Sequence, residues 1–244
     1  MFKFFQTEWL GIRFSEFIDV NSSTLAGAEF YDAFYRALFS KYPNYDALDV
    51  DWRRNKDEIT GWLATSLPDG ARVLSVGCGL GYMEQRLWRQ HGERIELHVQ
   101  DYASEALQWL RQVLPQDRIH DVVGGEIGEF DLIYLSAVDY AMPDADLIDL
   151  IGSLRSRLRS DGTLLMISAS YLDESAGQQF VGKAKDGVKW LLDTLGIRHR
   201  GQFWGWMRTR LDYQTVMRNA GFHSITDGFI KTKRQQTYWV QSCI

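Results

Sequence analysis

The stretch Val73-Leu-Ser-Val-Gly77-Cys78-Gly79-Leu80-Gly81-Tyr82 runs from apolar residues straight into glycine at every second position. Arg72 to Val76 has the composition of a buried strand and Tyr82 to His91 carries a helical pattern, so the glycines occupy the turn between strand and helix. Glycine has no Cβ and takes positive φ without penalty, which lets the amides of such a turn press against a ligand where any side chain would clash. A nucleoside or an amino-acid moiety suits that surface.

Asp101 stands 20 residues beyond Gly81, at the end of the next apolar run, Arg94 to Gln100. A carboxylate there can accept hydrogen bonds from two adjacent ribose hydroxyls. Together the glycines and Asp101 outline a nucleoside site at the carboxyl ends of neighbouring strands. The spacing also separates cofactor classes, because a dinucleotide fingerprint needs its last glycine at the helix contact. Here that position is Tyr82, and the loop reads Gly77-x-Gly79-x-Gly81. No GxxxxGK[ST] occurs, so a triphosphate-binding loop is not expected.

Beyond this unit, short apolar runs alternate with helical patterns, the order of βαβ units around a mostly parallel sheet. A helix is expected over Ser104 to Leu114, a short strand near Ile119 to Val123, a strand over Phe130 to Ala137, and a helix over Ala145 to Leu158. The turn Ser160-Asp161-Gly162 leads into a strand over Thr163 to Ser168. Residues 171–210 read as an insertion, partly helical around 178–195, before a helix over Asp212 to Asn219 ended by Gly221. Ser224 to Lys231 and Thr237 to Gln241 then pair around a charged turn, which makes them antiparallel. The expected fold class is α/β: a Rossmann-like, mostly parallel, seven-stranded sheet with an antiparallel C-terminal hairpin and helices on both faces.

Ahead of the sheet, Phe30, Tyr31, Phe34, Tyr35, Leu38, Phe39 and Tyr42 recur at three- and four-residue spacing until Pro43, and a second helix is expected from Asp51 to Leu67. Residues 1–70 thus read as an N-terminal helical cap, and 71–244 as the ligand-binding domain with a cap insertion at about 171–210.

Composition narrows the partners. A net charge of -5 provides no global positive field for phosphates, so nucleic acid is not the expected partner. The longest apolar runs have strand length, no membrane span is expected, and Met1 to Leu10 lacks a signal-like apolar core, which makes the cytoplasm the default location. Only Cys78 and Cys243 occur, so neither a disulfide framework nor a structural zinc is expected. Aromatic residues reach 14% and gather in residues 2–62 and 190–213, which fits either core packing between helices or an aromatic-lined acceptor pocket.

These motifs resemble the class I S-adenosylmethionine-dependent methyltransferases. Gly77, Gly79 and Gly81 match the glycines of their first motif, Asp101 matches their ribose-binding acid, and Leu158-Arg-Ser-Asp-Gly162-Thr-Leu-Leu is similar to their segment before the fifth strand. Asp212-Tyr213 through Ala220-Gly221-Phe222 resembles the helix before their final hairpin. The resemblance covers roughly residues 70–170 and 211–244 and implies S-adenosylmethionine as cofactor, with Gly77, Cys78, Gly79, Gly81, Asp101, Tyr102 and Ser136 around it. Asp121 and Glu126 are the candidates for the family's adenine-reaching acid, and neither matches cleanly. After the fourth strand the chain reads Ser136-Ala-Val-Asp139-Tyr140, without the [DN]-P-P-[FYW] signature of exocyclic amine methylation.

Methyl transfer from a sulfonium depends mainly on alignment and exclusion of water, and needs a base only where the nucleophile must lose a proton. Asp139, Tyr140 and His199 are the candidate catalytic residues for a hydroxyl acceptor, and no metal is expected. Lys56 or Arg53 is a candidate for the cofactor carboxylate. Gly201 to Arg210, with Trp204, Trp206, Arg208 and Arg210, reads either as recognition of an acidic, phosphorylated or glycosidic acceptor or as a buried helix start with snorkelling arginines. O-methylation of a small-molecule or glycan-like acceptor is the leading expectation. The alternatives are a nicotinamide-dependent oxidoreductase, which Tyr82 and the hairpin disfavour, and a non-catalytic cofactor-binding partner subunit.

Overall fold

The computed structural model describes residues 2–103, 105–122, 127–168, 170–172 and 201–244. Its strands are β1 (Phe2–Gln6), β2 (Glu8–Trp9), β3 (Ile12–Arg13), β4 (Arg72–Val76), β5 (Glu96–Gln100), β6 (Ile119–His120), β7 (Phe130–Ser136), β8 (Leu158–Ser168), β9 (Gln202–Met207), β10 (Ser224–Lys231) and β11 (Gln236–Cys243). Its helices are α1 (Ala28–Lys41), α2 (Val50–Thr65), α3 (Tyr82–His91), α4 (Asp144–Arg155) and α5 (Arg210–Asn219). None of the described helices is long and apolar enough to cross a membrane.

One sheet of seven strands runs in the order β10-β11-β8-β7-β4-β5-β6. The pairs β7–β8, β4–β7, β4–β5 and β5–β6 are parallel, whereas β11 lies antiparallel to both β8 and β10. The twofold alternation of strand side chains divides the core. Val73, Leu97, Tyr134 and Leu165 face α2 and α3, while Leu74, Ile133, Leu164 and Met166 face α4 and α5. Both faces are covered, as a mostly parallel sheet requires.

Four elements depart from the expectation drawn from sequence. In place of the α-helix expected over Ser104 to Leu114, described residues 105–114 wind as 3₁₀ turns over Ala106–Gln108 and Leu110–Gln112. A 3₁₀ turn eclipses residues three apart, so Leu107 and Leu110 reach the sheet core while Ala106 and Trp109 reach the aromatic cluster under α1. The turn Ser160-Asp161-Gly162 lies within β8, where pairing jumps from Phe130↔Leu158 to Leu132↔Thr163 and the extra residues bulge outward. Residues 2–13 carry three short strands and their turns rather than a helix of the cap, and β1 pairs antiparallel with β9, Phe4 opposite Gly205. A strand at 202–207 also replaces the helix start considered for that segment. The helix expected over 178–195 lies outside the described residues.

The β1–β9 ribbon closes an aromatic cluster over the carboxyl ends of the parallel strands. Phe14 stacks on Trp204 at 4.9 Å between centroids, and Phe30, Phe34 and Trp9 pack around them. Trp204 is thus core, and the abundance of aromatics is explained here mostly by packing.

Candidate functional site

Gly77, Gly79 and Gly81 take φ of +67°, +56° and +67°, a region that other residues adopt only with strain. Space is as restrictive as torsion at the last of them, where an added Cβ would lie 2.0 Å from Leu110 Cδ1. Gly81 is also the residue from which α3 starts, so the loop delivers a helix N-terminus to the site. The amides of Gly77 and Cys78 donate to the Gln100 carbonyl at 2.8 and 3.1 Å, which pins the loop to the neighbouring strand.

Asp101 leaves the end of β5 and is 5% exposed. One carboxylate oxygen accepts from Gly79 N at 2.7 Å and the other from Ala103 N at 2.9 Å. Burial pushes its carboxyl upward, and the two amides oppose that rise. Each oxygen keeps a further lone pair for a diol.

Loop and carboxylate open onto a cavity of about 810 Å³, open mouth included. Trp9, Tyr31, Tyr35, Tyr102 and Tyr140 line the cavity with the glycines, the Tyr35 hydroxyl close beside Gly79. The Tyr31 and Tyr140 hydroxyls lie 3.4 Å apart. Burial pushes the Tyr140 phenol up to about 12 and raises Tyr31 well above its ordinary value, so both remain protonated at neutral pH. Beneath the loop is Glu84, 2% exposed, which accepts from Ser75 Oγ at 2.7 Å and the Tyr134 hydroxyl at 2.6 Å. Burial raises the Glu84 carboxyl and lowers the Lys56 amine, and each charge partly offsets the shift of the other.

The cavity brings together Gly77, Cys78, Gly79, Gly81, Asp101, Tyr102, Ser136, Tyr140 and Lys56. Asp121 is not among its lining; its exposed carboxylate pairs with Arg111 at 3.8 Å, and its main-chain carbonyl accepts from Gln100 Nε2 at 3.1 Å. His199 and Glu126 lie outside the described residues.

Asp139 is corrected as a base facing the acceptor. It is 1% exposed and points away from the cavity, its Oδ2 accepting from Ser168 Oγ at 2.9 Å, Ser170 Oγ at 3.2 Å and the Tyr213 hydroxyl. The chain enters a 3₁₀ turn at Asp139–Ala141, and one turn residue cannot face both the core and the cavity; Tyr140 takes the cavity. The arginines of 201–210 do not line the cavity either. Arg208 is fully buried, and Arg210 pairs with Asp227 at 2.7 Å. Arg53 is spent on Asp46 and the Leu48 carbonyl.

Sequence reasoning missed Glu84, Tyr35 and Trp9 as site residues. Glu84 was detectable: it lies three residues before the buried Leu87, on the inward face of α3, where a carboxylate has no bland reason to be. Trp9 and Tyr35 carry no local signal, since their side chains reach the site only through the aromatic packing.

A family model described as a methyltransferase domain matches residues 35–226. The Bacillus subtilis (strain 168) protein YqeM, named as a methyltransferase, is 22% identical over 216 residues, which is 72% of this chain and 84% of that protein. Among solved structures, human N-acetylserotonin methyltransferase in complex with S-adenosylmethionine gives a TM-score of 0.55 at 19% identity, over 89% of this chain and 56% of that one. The Synechocystis PCC 6803 magnesium protoporphyrin IX methyltransferase with bound S-adenosylmethionine gives 0.51 at 15% identity, over 80% of each chain. At these identities the structural likeness shows the fold. This chain spans little more than half the length of the human protein.

Proposed function

We propose, from the premise that this chain belongs to the class I S-adenosylmethionine-dependent methyltransferase family, that it methylates a hydroxyl of a small, ring-bearing acceptor that rests against the paired Tyr140 and Tyr31 hydroxyls. The chain is a methyltransferase and S-adenosylmethionine is its cofactor. The residues present fit that cofactor: the loop is free of Cβ atoms at Gly77, Gly79 and Gly81, and Asp101 presents two carboxylate oxygens beside it. Asp101 would take the ribose hydroxyls, Tyr102 the adenine face, and Lys56 the amino-acid carboxylate. The cofactor supplies a methyl group activated by its sulfonium charge.

The chain's own contribution is alignment and exclusion of water. Aromatic walls suit a flat acceptor and a nearby cation alike. Protonated Tyr140 and Tyr31 donate or accept hydrogen bonds and thereby orient the acceptor oxygen; with a phenol at about 12, Tyr140 is an orienting group rather than the base. Acceptors that shed their proton readily, phenols and enols, match this set best.

The observation that carries the reading is that one cavity holds both the glycine turn with Asp101 and the paired Tyr31 and Tyr140 hydroxyls. Calorimetric titration with S-adenosylmethionine, S-adenosylhomocysteine and NAD, followed by mass-spectrometric screening of phenolic acceptors, tests it. Binding of the two adenosyl ligands and transfer impaired by Tyr140→Phe are expected. Methyl transfer confined to amine acceptors, or indifferent to Tyr140→Phe, overturns it.

A further inference from the structure

Arg208 is the largest side chain in the described protein that is wholly removed from solvent. Its Nη1 donates to the Asp139 carbonyl, its Nη2 to the Met142 carbonyl at 2.7 Å, and its Nε to Asp144 Oδ1 at 2.8 Å. The two carbonyls bracket Tyr140 and Ala141, which are the turn residues that line the cavity. Burying a guanidinium is costly unless every donor finds a well-aligned partner. Here a planar fork spans the turn from behind, a geometry that the single ammonium of lysine does not reproduce.

The β1–β9 ribbon, which ends just before Arg208, also presses on this turn. In β9, an added Cβ at Gly205 would stand 2.0 Å from the Tyr140 carbonyl oxygen, so the strand presses directly on that peptide. Trp204 lies parallel to the Tyr140 ring at 6.0 Å, and Phe4 of β1 meets it edge-on at 5.7 Å. The Arg208 main chain is held as well, its amide donating to the Ser170 carbonyl at 3.3 Å and its carbonyl accepting from Leu172 at 2.8 Å. Behind the turn, Asp139 is fixed by Ser168, Ser170 and Tyr213.

We infer that Arg208 is a positioning residue for the acceptor: by holding the Asp139 and Met142 carbonyls against the β1–β9 ribbon, it sets the direction in which Tyr140 enters the cavity. The inference deepens the proposed function and rests on the assignment of Tyr140 to the acceptor. Arg208 itself touches no cavity space. Its influence passes through the turn, so acceptor handling responds to it while cofactor affinity does not.

The experiment uses the full chain with S-adenosylhomocysteine bound, labelled with ¹³C at Cζ of tyrosine, in wild type, Arg208→Lys, Phe4→Leu and Tyr140→Phe. Tyr140→Phe identifies the Tyr140 resonance by its loss. In Arg208→Lys that resonance is expected to shift or broaden, while S-adenosylhomocysteine affinity stays within about twofold. With S-adenosylmethionine and 4-nitrophenol as probe, transfer efficiency is expected to fall about tenfold, a modest part of the ~100-fold that a misplacement of about 1 Å can cost. The losses in Arg208→Lys and Tyr140→Phe are expected to be non-additive in the double variant. Phe4→Leu, which buries no charge, repeats the resonance test should Arg208→Lys fail to fold. An unmoved Tyr140 resonance in the folded variants, or additive losses, overturns the inference and leaves the proposed function standing. If Tyr140→Phe leaves transfer intact while the adenosyl ligands still bind, both readings fall.

Discussion

The two ends of the cavity are built in opposite ways. At the cofactor end, Gly77 to Gly81 and Asp101 come from two adjacent parallel strands, and main-chain groups do much of the work. At the proposed acceptor end, Trp9 and Tyr31 meet Tyr140 from more than 100 positions away, and the lining is made of side chains. A site made of backbone tolerates change nearly everywhere except at its glycines and its one acid. A site made of packed rings is set by whatever holds the rings, including buried residues that never touch a ligand.

The contrast can be broken most forcefully at Asp101. Asp101→Ala removes the proposed acceptor of two ribose hydrogen bonds, each worth about 1.5–3 kcal/mol to a charged group, so S-adenosylmethionine affinity is expected to weaken by more than roughly 100-fold. Calorimetry measures this, and a loss below fivefold would make the two ends equivalent. Next in size is Asp139→Ala, which takes the shared carboxylate acceptor from the Ser168, Ser170 and Tyr213 hydroxyls in the core. A fall of about 2 kcal/mol in unfolding free energy by urea titration is expected. Cofactor affinity in the fraction that folds should be nearly unchanged.

A smaller effect sharpens the acceptor end. Tyr31→Phe deletes one hydroxyl of the 3.4 Å pair. One neutral hydrogen bond is worth about 1 kcal/mol, so acceptor KM should rise about fivefold with S-adenosylmethionine affinity intact. A change in cofactor affinity instead would place Tyr31 at the other end.

The smallest expected effect concerns the sheet edge beside Asp101. Glu96 accepts from Arg72, Arg118 and His98, each at 2.9 Å, and the bond from His98 leads the causes that hold its carboxyl down at about 2. Burial lowers both His98 and His120, whose rings stack with a 2.9 Å contact. Depressed folded values mean that the unfolded chain binds more protons below pH 6.5 at the histidines and below about 4.5 at Glu96. Stability is therefore full above these values and declines on acidification. Urea midpoints from pH 7.5 to 5 are expected to fall in wild type and to fall less in His98→Gln.

The parallel core was legible in sequence because its signals are local: strand-length apolar runs, glycines at fixed offsets and a carboxylate at the end of the next strand. The antiparallel hairpin followed from its short charged turn. Elements whose conformation answers to two neighbours were not legible. Leu107 and Trp109 must reach different clusters, and that double demand winds a predicted α-helix into 3₁₀ turns. The β1–β9 ribbon pairs segments about 200 residues apart, and nothing in Phe2 to Gln6 names Gln202 to Met207 as its partner.

Sequence alone determined the glycine turn, the acid that faces it and the sheet they belong to, since covalent spacing along βαβ units places those groups whatever else the chain does. Tertiary structure alone decided that Tyr140 rather than Asp139 meets the cavity, and that Arg208 braces the turn from within. The reason is that a short turn has two sides, and only long-range packing determines which side faces the core.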